Sequence, residues 1–212
     1  MSLFKKGGLV LFQGDSVTES GRDKNEPKDL GWGYPFKISC FFRDKMAELG
    51  LSFLNRGVSG DRAADLSARW DCDCIGLKPD VVSILVGVND CWHRFRFKME
   101  NMPVEVFEKH YREILEKTKD KLPETKIVLL EPFIIPDFDK DSETLVWRED
   151  LDPKIHAIRR LAYEFDAAYI PLDGIFAAGA VEAGPDAFAA DGIHPTSLGH
   201  ALIADAWVRA LV

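Results

Sequence analysis

Four short polar segments hold the residue types from which an acyl-transfer site can be built. They read Gly14-Asp15-Ser16, Gly57-Val58-Ser59-Gly60, Gly87-Val88-Asn89-Asp90 and Asp191-Gly192-Ile193-His194-Pro195. A serine hydroxyl becomes an effective nucleophile only when a neighbouring imidazole accepts its proton. The imidazole in turn needs a partner on its other nitrogen, and a carboxylate fixes both tautomer and orientation. Ser16, His194 and Asp191 could fill these roles, since Asp191 and His194 stand three residues apart around a glycine, where one turn can present both. The negative oxygen of a tetrahedral intermediate calls for donors aimed at it. The backbone amides of Ser16 and Gly60 and the side-chain amide of Asn89 could supply three.

Such residues work only if the fold brings them together. Leu9 to Phe12, Ser52 to Asn55, Asp80 to Val86, Lys126 to Leu130 and Ala168 to Leu172 are short apolar runs that read as buried strands. Helical spacing is evident over 35–49, 61–70, from Pro103 to about Leu122, from Asp152-Pro153 to Phe165, and from the cap Thr196 to about Leu211. Residues 132–147 show no clear period and read as a loop, with charged and apolar side chains mixed. Strands that alternate with helices imply crossover connections, hence a mostly parallel five-stranded sheet covered on both faces in a doubly wound α/β domain spanning 1–212. In that architecture chemistry gathers beyond the carboxyl ends of the strands. Three of the four polar segments follow a predicted strand, and the fourth precedes the last helix.

Composition narrows the partners. The chain of 212 residues is 46% hydrophobic and 29% charged, with a formal net charge of −8 spread along its length. That balance supports a sizeable core and lacks the basic stripe that nucleic acid demands. It equally disfavours an anionic membrane surface. No run approaches the ~20 apolar residues of a membrane span, and Leu9 to Phe12 is too short for the core of a signal peptide. Cys40, Cys72, Cys74 and Cys91 then read as reduced thiols in a cytoplasmic protein. No second Cys/His pair completes a zinc set around Cys72 and Cys74. The expected partner is a small-molecule or oligosaccharide ester, and the sequence is also compatible with a homo-oligomer.

The four segments, in this order, resemble the SGNH (GDSL) family of serine hydrolases, named for a serine, a glycine, an asparagine and a histidine. Each tetrapeptide alone is a weak signal, and the ordered set is a strong one. The resemblance implies a flavodoxin-like three-layer α/β/α sandwich, a Ser-His-Asp triad and no cofactor or metal. Within the family, Gly14 to Arg22, Ala68-Arg69-Trp70 and Asn89 to Trp92 look most like bacterial acetylxylan and other carbohydrate acetylesterases. One departure stands out. Those enzymes commonly place asparagine after the second-block glycine, where this chain has Asp61. The backbone donor survives that change, but a carboxylate turned inward would disfavour the oxyanion; otherwise Asp61 could cap the following helix.

Other residues invite simpler readings. Asp15 beside the nucleophile is better suited to fixing the turn through backbone bonds than to acid catalysis. His110, His156 and His200 read as packed histidines. Trp92 is the preferred sugar-stacking aromatic, ahead of Trp32, Phe133 and Trp147, and His93 is a further candidate to line the site. Rival functions are a lipase, lysophospholipase or thioesterase of the same family, and a metal-dependent hydrolase using Asp15, Asn89, His93, Asp191 and His194. A nucleotide- or flavin-binding module is a third, but no Gly-x-Gly-x-x-Gly follows the first strand.

Overall fold

The computed structural model describes residues 4–98, 103–135 and 142–212. Strand β1 spans Leu9–Gly14 and runs into helix α1, Ser16–Glu19; helix α2 is Tyr34–Lys45, followed by strand β2, Ser52–Asn55, and helix α3, Ala63–Asp73. Then come β3 (Val81–Leu85), α4 (Val88–Phe97), α5 (Val104–Lys121), β4 (Lys126–Leu130), α6 (Ser142–Glu164), β5 (Ala168–Ile170), α7 (Leu172–Ala183) and α8 (Ser197–Leu211). All strand pairs are parallel, in the order β2-β1-β3-β4-β5, with Phe12 opposite Asn55 and Gly14 opposite Leu85. This is the flavodoxin-like order, whose direction reverses between β1 and β3.

Alternation along each strand sends side chains to two separate layers. Val10, Phe12, Val81 and Val128 pack with Tyr34, Ile38 and Phe42 of α2, Phe176 of α7, and Ile203 and Trp207 of α8. Leu11, Val82, Ile84 and Leu129 face the other way, against Leu66 and Trp70 of α3, Tyr111 and Leu115 of α5, and Ile158 and Leu161 of α6. Every residue of β3 is buried, as a central parallel strand requires. A third cluster of Val88, Cys91, Ile134, Trp147, Leu151, Ile155 and Ile193 joins α4, α6 and the loop before α8. This cluster anchors two of the four polar segments.

Of the segment 132–147, which the sequence suggests is a loop, residues 132–135 form neither helix nor strand, and 142–147 are helical. Phe133, Ile134 and Ile135 are buried, and α6 starts at Ser142, eleven residues before Pro153. Residues 136–141, which hold Asp137, Asp139, Lys140 and Asp141, lie outside the described residues. Helix α6 thus continues through Pro153, although proline in a helix interior costs ~3 kcal/mol. The reason is packing: Trp147, Leu151, Ile155 and Ile158 form one buried stripe across the proline. Lys154, fully buried, also pairs with Asp150 at 2.9 Å, as Arg94 of α4 does at 3.2 Å. Helices α1, α4 and α7 are additions to the sequence reading. Pro103 caps α5, and Thr196 caps α8 by accepting from the Gly199 N–H, both as expected. Cys40, Cys72, Cys74 and Cys91 are free thiols. Among the described residues, no helix is long and apolar enough to cross a membrane.

Candidate active site

Strand β1 delivers Ser16 to the carboxyl edge of the sheet. Asp15 caps α1, its Oδ1 accepting the Val17 N–H at 3.0 Å and its carbonyl those of Thr18 and Glu19. Ser16 is the first residue of that helix, so its own N–H has no acceptor among the described residues. Burial pushes the Asp15 carboxyl up to about 7, against the opposing pull of the Val17 N–H and of His194. Through these bonds Asp15 shapes the turn that presents Ser16.

Asp191 and His194 share one turn. Asp191 Oδ1 accepts the backbone N–H groups of Ile193 and His194 at 3.0 and 2.7 Å, and Oδ2 lies 2.6 Å from His194 Nδ1. His194 Nε2 then stands 3.0 Å from Ser16 Oγ. The three side chains form a continuous relay. Partial burial pulls the Asp191 carboxyl upward, but the His194 ring and the two backbone donors outweigh it and hold the group down at about 2. The hydrogen bond to Asp191 raises His194, partly opposed by desolvation. Nδ1 is thus the protonated nitrogen of the neutral ring, and Nε2 is free to accept from Ser16. Ile193 is buried in the third cluster, and the Ile135 N–H donates to the Gly192 carbonyl at 2.8 Å, so the turn is fixed from below.

The candidate donors Gly60 and Asn89 follow β2 and β3. Residues Val58 to Asp61 form a tight turn closed by the Asp61 N–H on the Val58 carbonyl at 3.1 Å, with Gly60 at φ +86°. Only glycine adopts that conformation without strain. The turn abuts the nucleophile strand through the Val58 N–H on the Gly14 carbonyl at 3.0 Å. Gly57 is packed so closely that a Cβ there would lie 2.4 Å from the Glu19 nitrogen. The Gly60 N–H has no acceptor among the described residues. Asn89, buried at the start of α4, donates from Nδ2 to the Asp61 carbonyl at 3.0 Å, which leaves its second N–H available. Its neighbour Asp90 takes the Ala63 N–H at 3.2 Å. The structure therefore brings Ser16, Gly60, Asn89, Asp191 and His194 to one end of the sheet.

A pocket of about 210 Å³ opens beside Ser16 and His194. Glu19, Ser59, Trp32 and His200 contribute to its walls. Trp32 is 58% exposed and meets the His200 ring edge-on at 5.2 Å. His200 is buried, as a packed histidine should be. Its Nδ1 accepts the Tyr34 N–H at 3.3 Å, so Nε2 donates to Ser20 Oγ at 3.0 Å, and Ser20 passes a bond to the Val17 carbonyl. Burial lowers its pKa to about 4, and it stays neutral. Trp92 packs edge-on against Trp147 at 5.3 Å and also edge-on near the His194 ring at 6.4 Å, beside the Asp191–His194 turn. His93 lies against Phe97, near Arg62 and Asp65, and does not line the pocket. Trp32, Glu19, Ser59 and His200 carry no local sequence signal as a group, because only the fold unites α1, the β2 turn and α8. Among the described residues, no three His, Cys, Asp or Glu side chains converge as metal ligands, Asp15, His93, Asp191 and His194 included.

Comparison with known proteins shows the family. The model of the GDSL-like lipase/acylhydrolase family matches residues 12–202. An acetylxylan esterase of Geobacillus stearothermophilus is 32% identical over 213 residues, covering 97% of this chain and 94% of that protein. A protein described as a GDSL-like lipase, from Parabacteroides merdae, superposes with a TM-score of 0.93 at 35% identity, covering 100% of this chain and 99% of the other. A solved structure of an acetylxylan esterase from Geobacillus stearothermophilus gives a TM-score of 0.89 at 30% identity, with 100% and 96% of the chains covered.

Proposed function

Since the chain belongs to the GDSL-like lipase/acylhydrolase family and is a carboxylic ester hydrolase, we propose that it removes acetyl groups from a carbohydrate through an acyl-enzyme on Ser16. The observation that carries this reading is the relay from Ser16 Oγ to His194 Nε2, 3.0 Å, and from His194 Nδ1 to Asp191, 2.6 Å.

Ser16 Oγ attacks the ester carbonyl carbon while His194 Nε2 takes the hydroxyl proton. The imidazolium so formed keeps its Nδ1–H on Asp191, whose charge stabilises it. The carbonyl oxygen becomes an oxyanion facing the Ser16 and Gly60 amides and the free N–H of Asn89. When the intermediate collapses, the C–O bond to the alcohol breaks and His194 returns its proton to the leaving oxygen. Water then attacks the acyl-enzyme with His194 again as base, releasing the carboxylic acid and restoring Ser16. Asp15 stays out of the proton path and holds the turn. No step calls on a cofactor.

The pocket supports a small acyl group on a polar alcohol. Its volume, about 210 Å³, falls below the ~300–1,000 Å³ of sites that engulf drug-sized ligands. A long acyl chain gains ~0.8 kcal/mol per buried CH₂ only where an apolar trench receives it. Here the walls include one exposed indole, Trp32, beside Ser59 and Glu19, whose carboxylate accepts the Ser59 N–H at 2.6 Å and pairs with Lys24 at 3.0 Å. An aromatic face beside hydrogen-bonding groups suits a sugar ring. That Geobacillus relatives are named acetylxylan esterases points the same way. The four free thiols suit a reducing compartment and keep a cytoplasmic location as part of this proposal.

The test is a series of p-nitrophenyl esters, acetate, butyrate and octanoate, followed by acetate release from peracetylated xylose. The expected order is acetate first, with acetylated sugar turned over. Preference for octanoate, or inert acetylated sugars, would transfer the protein to the lipase or thioesterase branch.

A further inference from the structure

Asp61 stands next to Gly60, and its carboxylate is the one feature of the oxyanion loop that should oppose the chemistry. It does not cap α3, whose N-cap is Arg62. Instead the Asp61 carboxylate is bound by Arg69, Nε to Oδ2 at 2.7 Å, with only 12% of the aspartate side chain and 18% of the arginine side chain exposed. The same guanidinium reaches three more acceptors. Its Nη1 donates to Gln13 Oε1 and Asp73 Oδ2, both at 2.9 Å, and its Nη2 to the Gly14 carbonyl at 3.3 Å. Gln13 closes the ring by donating to the Asp73 carbonyl at 2.6 Å.

These contacts place one cation between the strand that carries the nucleophile and the turn that carries an oxyanion donor. The Gly14 carbonyl precedes Asp15-Ser16 and also receives the Val58 N–H. The Asp61 carbonyl, on the residue whose side chain Arg69 holds, is the acceptor for Asn89. Ser16, Gly60 and Asn89 therefore share Arg69 as a common support. From this we infer that Arg69 is a positioning residue of the esterase: it holds the oxyanion loop against the nucleophile turn and cancels the Asp61 charge that would otherwise repel the developing oxyanion. The two jobs call for an arginine. A planar fork with several donors can meet acceptors in different directions, which a lysine ammonium cannot do from one rotamer.

The inference rests on Ser16 and its oxyanion donors being the reacting groups, and the variants separate failure of one from failure of the other. Wild type, Ser16→Ala, Arg69→Met, Asp61→Asn and Arg69→Met/Asp61→Asn are compared on p-nitrophenyl acetate, with kcat and KM measured separately and folding checked by circular dichroism. Ser16→Ala must be inactive; if it turns over, the active-site reading fails whatever Arg69 does. With that met, Arg69→Met should lower kcat by about 10²-fold, near the effect of losing one oxyanion donor, with KM changed less than threefold. Asp61→Asn should keep kcat within about threefold of wild type, because its amide oxygen still accepts from Arg69. The double variant should regain at least tenfold over Arg69→Met, since no carboxylate is then left uncompensated. A kcat within twofold of wild type in folded Arg69→Met would overturn the inference. So would a double variant no faster than Arg69→Met, which would reduce Arg69 to ordinary support. If Arg69→Met does not fold, Arg69→Lys is read in its place: it keeps the charge but loses the fork, and a kcat reduced by about three- to tenfold is expected, whereas wild-type kcat would overturn the positioning role.

Discussion

Ser16 and Asn89 at the starts of α1 and α4 and Gly60 on its turn belong to segments bonded to one another and to buried side chains, whereas Asp191 and His194 stand on a single turn with side chains 49% and 51% exposed. The first group belongs to the scaffold. Its carbonyls and amides are tied by Asn89 to Asp61, by Val58 to Gly14, and by Arg69 to both strand ends. The second group is held by its own backbone, by Ile193 in the third cluster and by one bond from Ile135. The contrast fits the proposed tasks. Oxyanion donors act as fixed dipoles and lose effect if they must reorganise as charge appears. A general base has to take up and return a proton and then admit water, and its geometry is set by one strong local contact.

If the second half depends on that contact, breaking it should give the largest effect. Asp191→Asn keeps the shape but can donate to Nδ1 and so stabilise the wrong imidazole tautomer; kcat should fall by about 10⁴, as in the serine-protease precedent. Steady-state rates on p-nitrophenyl acetate check this, and near-wild-type kcat would mean that another group orients the ring.

Removing a donor from the rigid half should cost less, because two others remain. Asn89→Ala is expected to lower kcat by about 10²–10³ and to change KM much less. A large rise in KM at unchanged kcat would move Asn89 from the transition state to ground-state binding. The smallest effect concerns pH. His194 works as a base only when neutral, and its hydrogen bond with Asp191 raises its pKa above the ordinary 6.5. Activity should thus be full above the raised value and fall as pH drops through it, giving an acid limb in kcat/KM with its midpoint above 6.5. Asp191, near 2, stays ionised across that range. A midpoint below 6.5 would contradict the hydrogen-bonded relay.

The same contrast explains what could be read from sequence. The strands, their parallel order and the four polar segments were legible because each is a short contiguous pattern, apolar run then small polar turn. Asp191 and His194 were legible together because their partnership is local. Helix α6 begins before Asp152-Pro153, since the proline rule is local while the compensating stripe packs Trp147, Leu151 and Ile155 on α4 and Ile158 on the sheet side. Helix α4 was hidden beneath the Asn89 motif, although Val88, Cys91, Trp92 and Phe95 keep helical spacing. The Arg69 network joins Gln13, Gly14, Asp61 and Asp73, residues that lie together only once β1 and α3 are packed. Trp32 lines the pocket beside Ser16 and Trp92 stands against the His194 ring, and of the two only Trp92 lies near a motif residue in the sequence.

The central claim, a covalent acyl-enzyme on Ser16, is tested most directly by acid quench during turnover of p-nitrophenyl acetate, followed by peptide mass spectrometry. The account predicts an acetyl group on the Ser16 peptide of the wild type and none in Ser16→Ala, which should also be inactive. Acetylation at another residue, or turnover by Ser16→Ala at the wild-type rate, would contradict it.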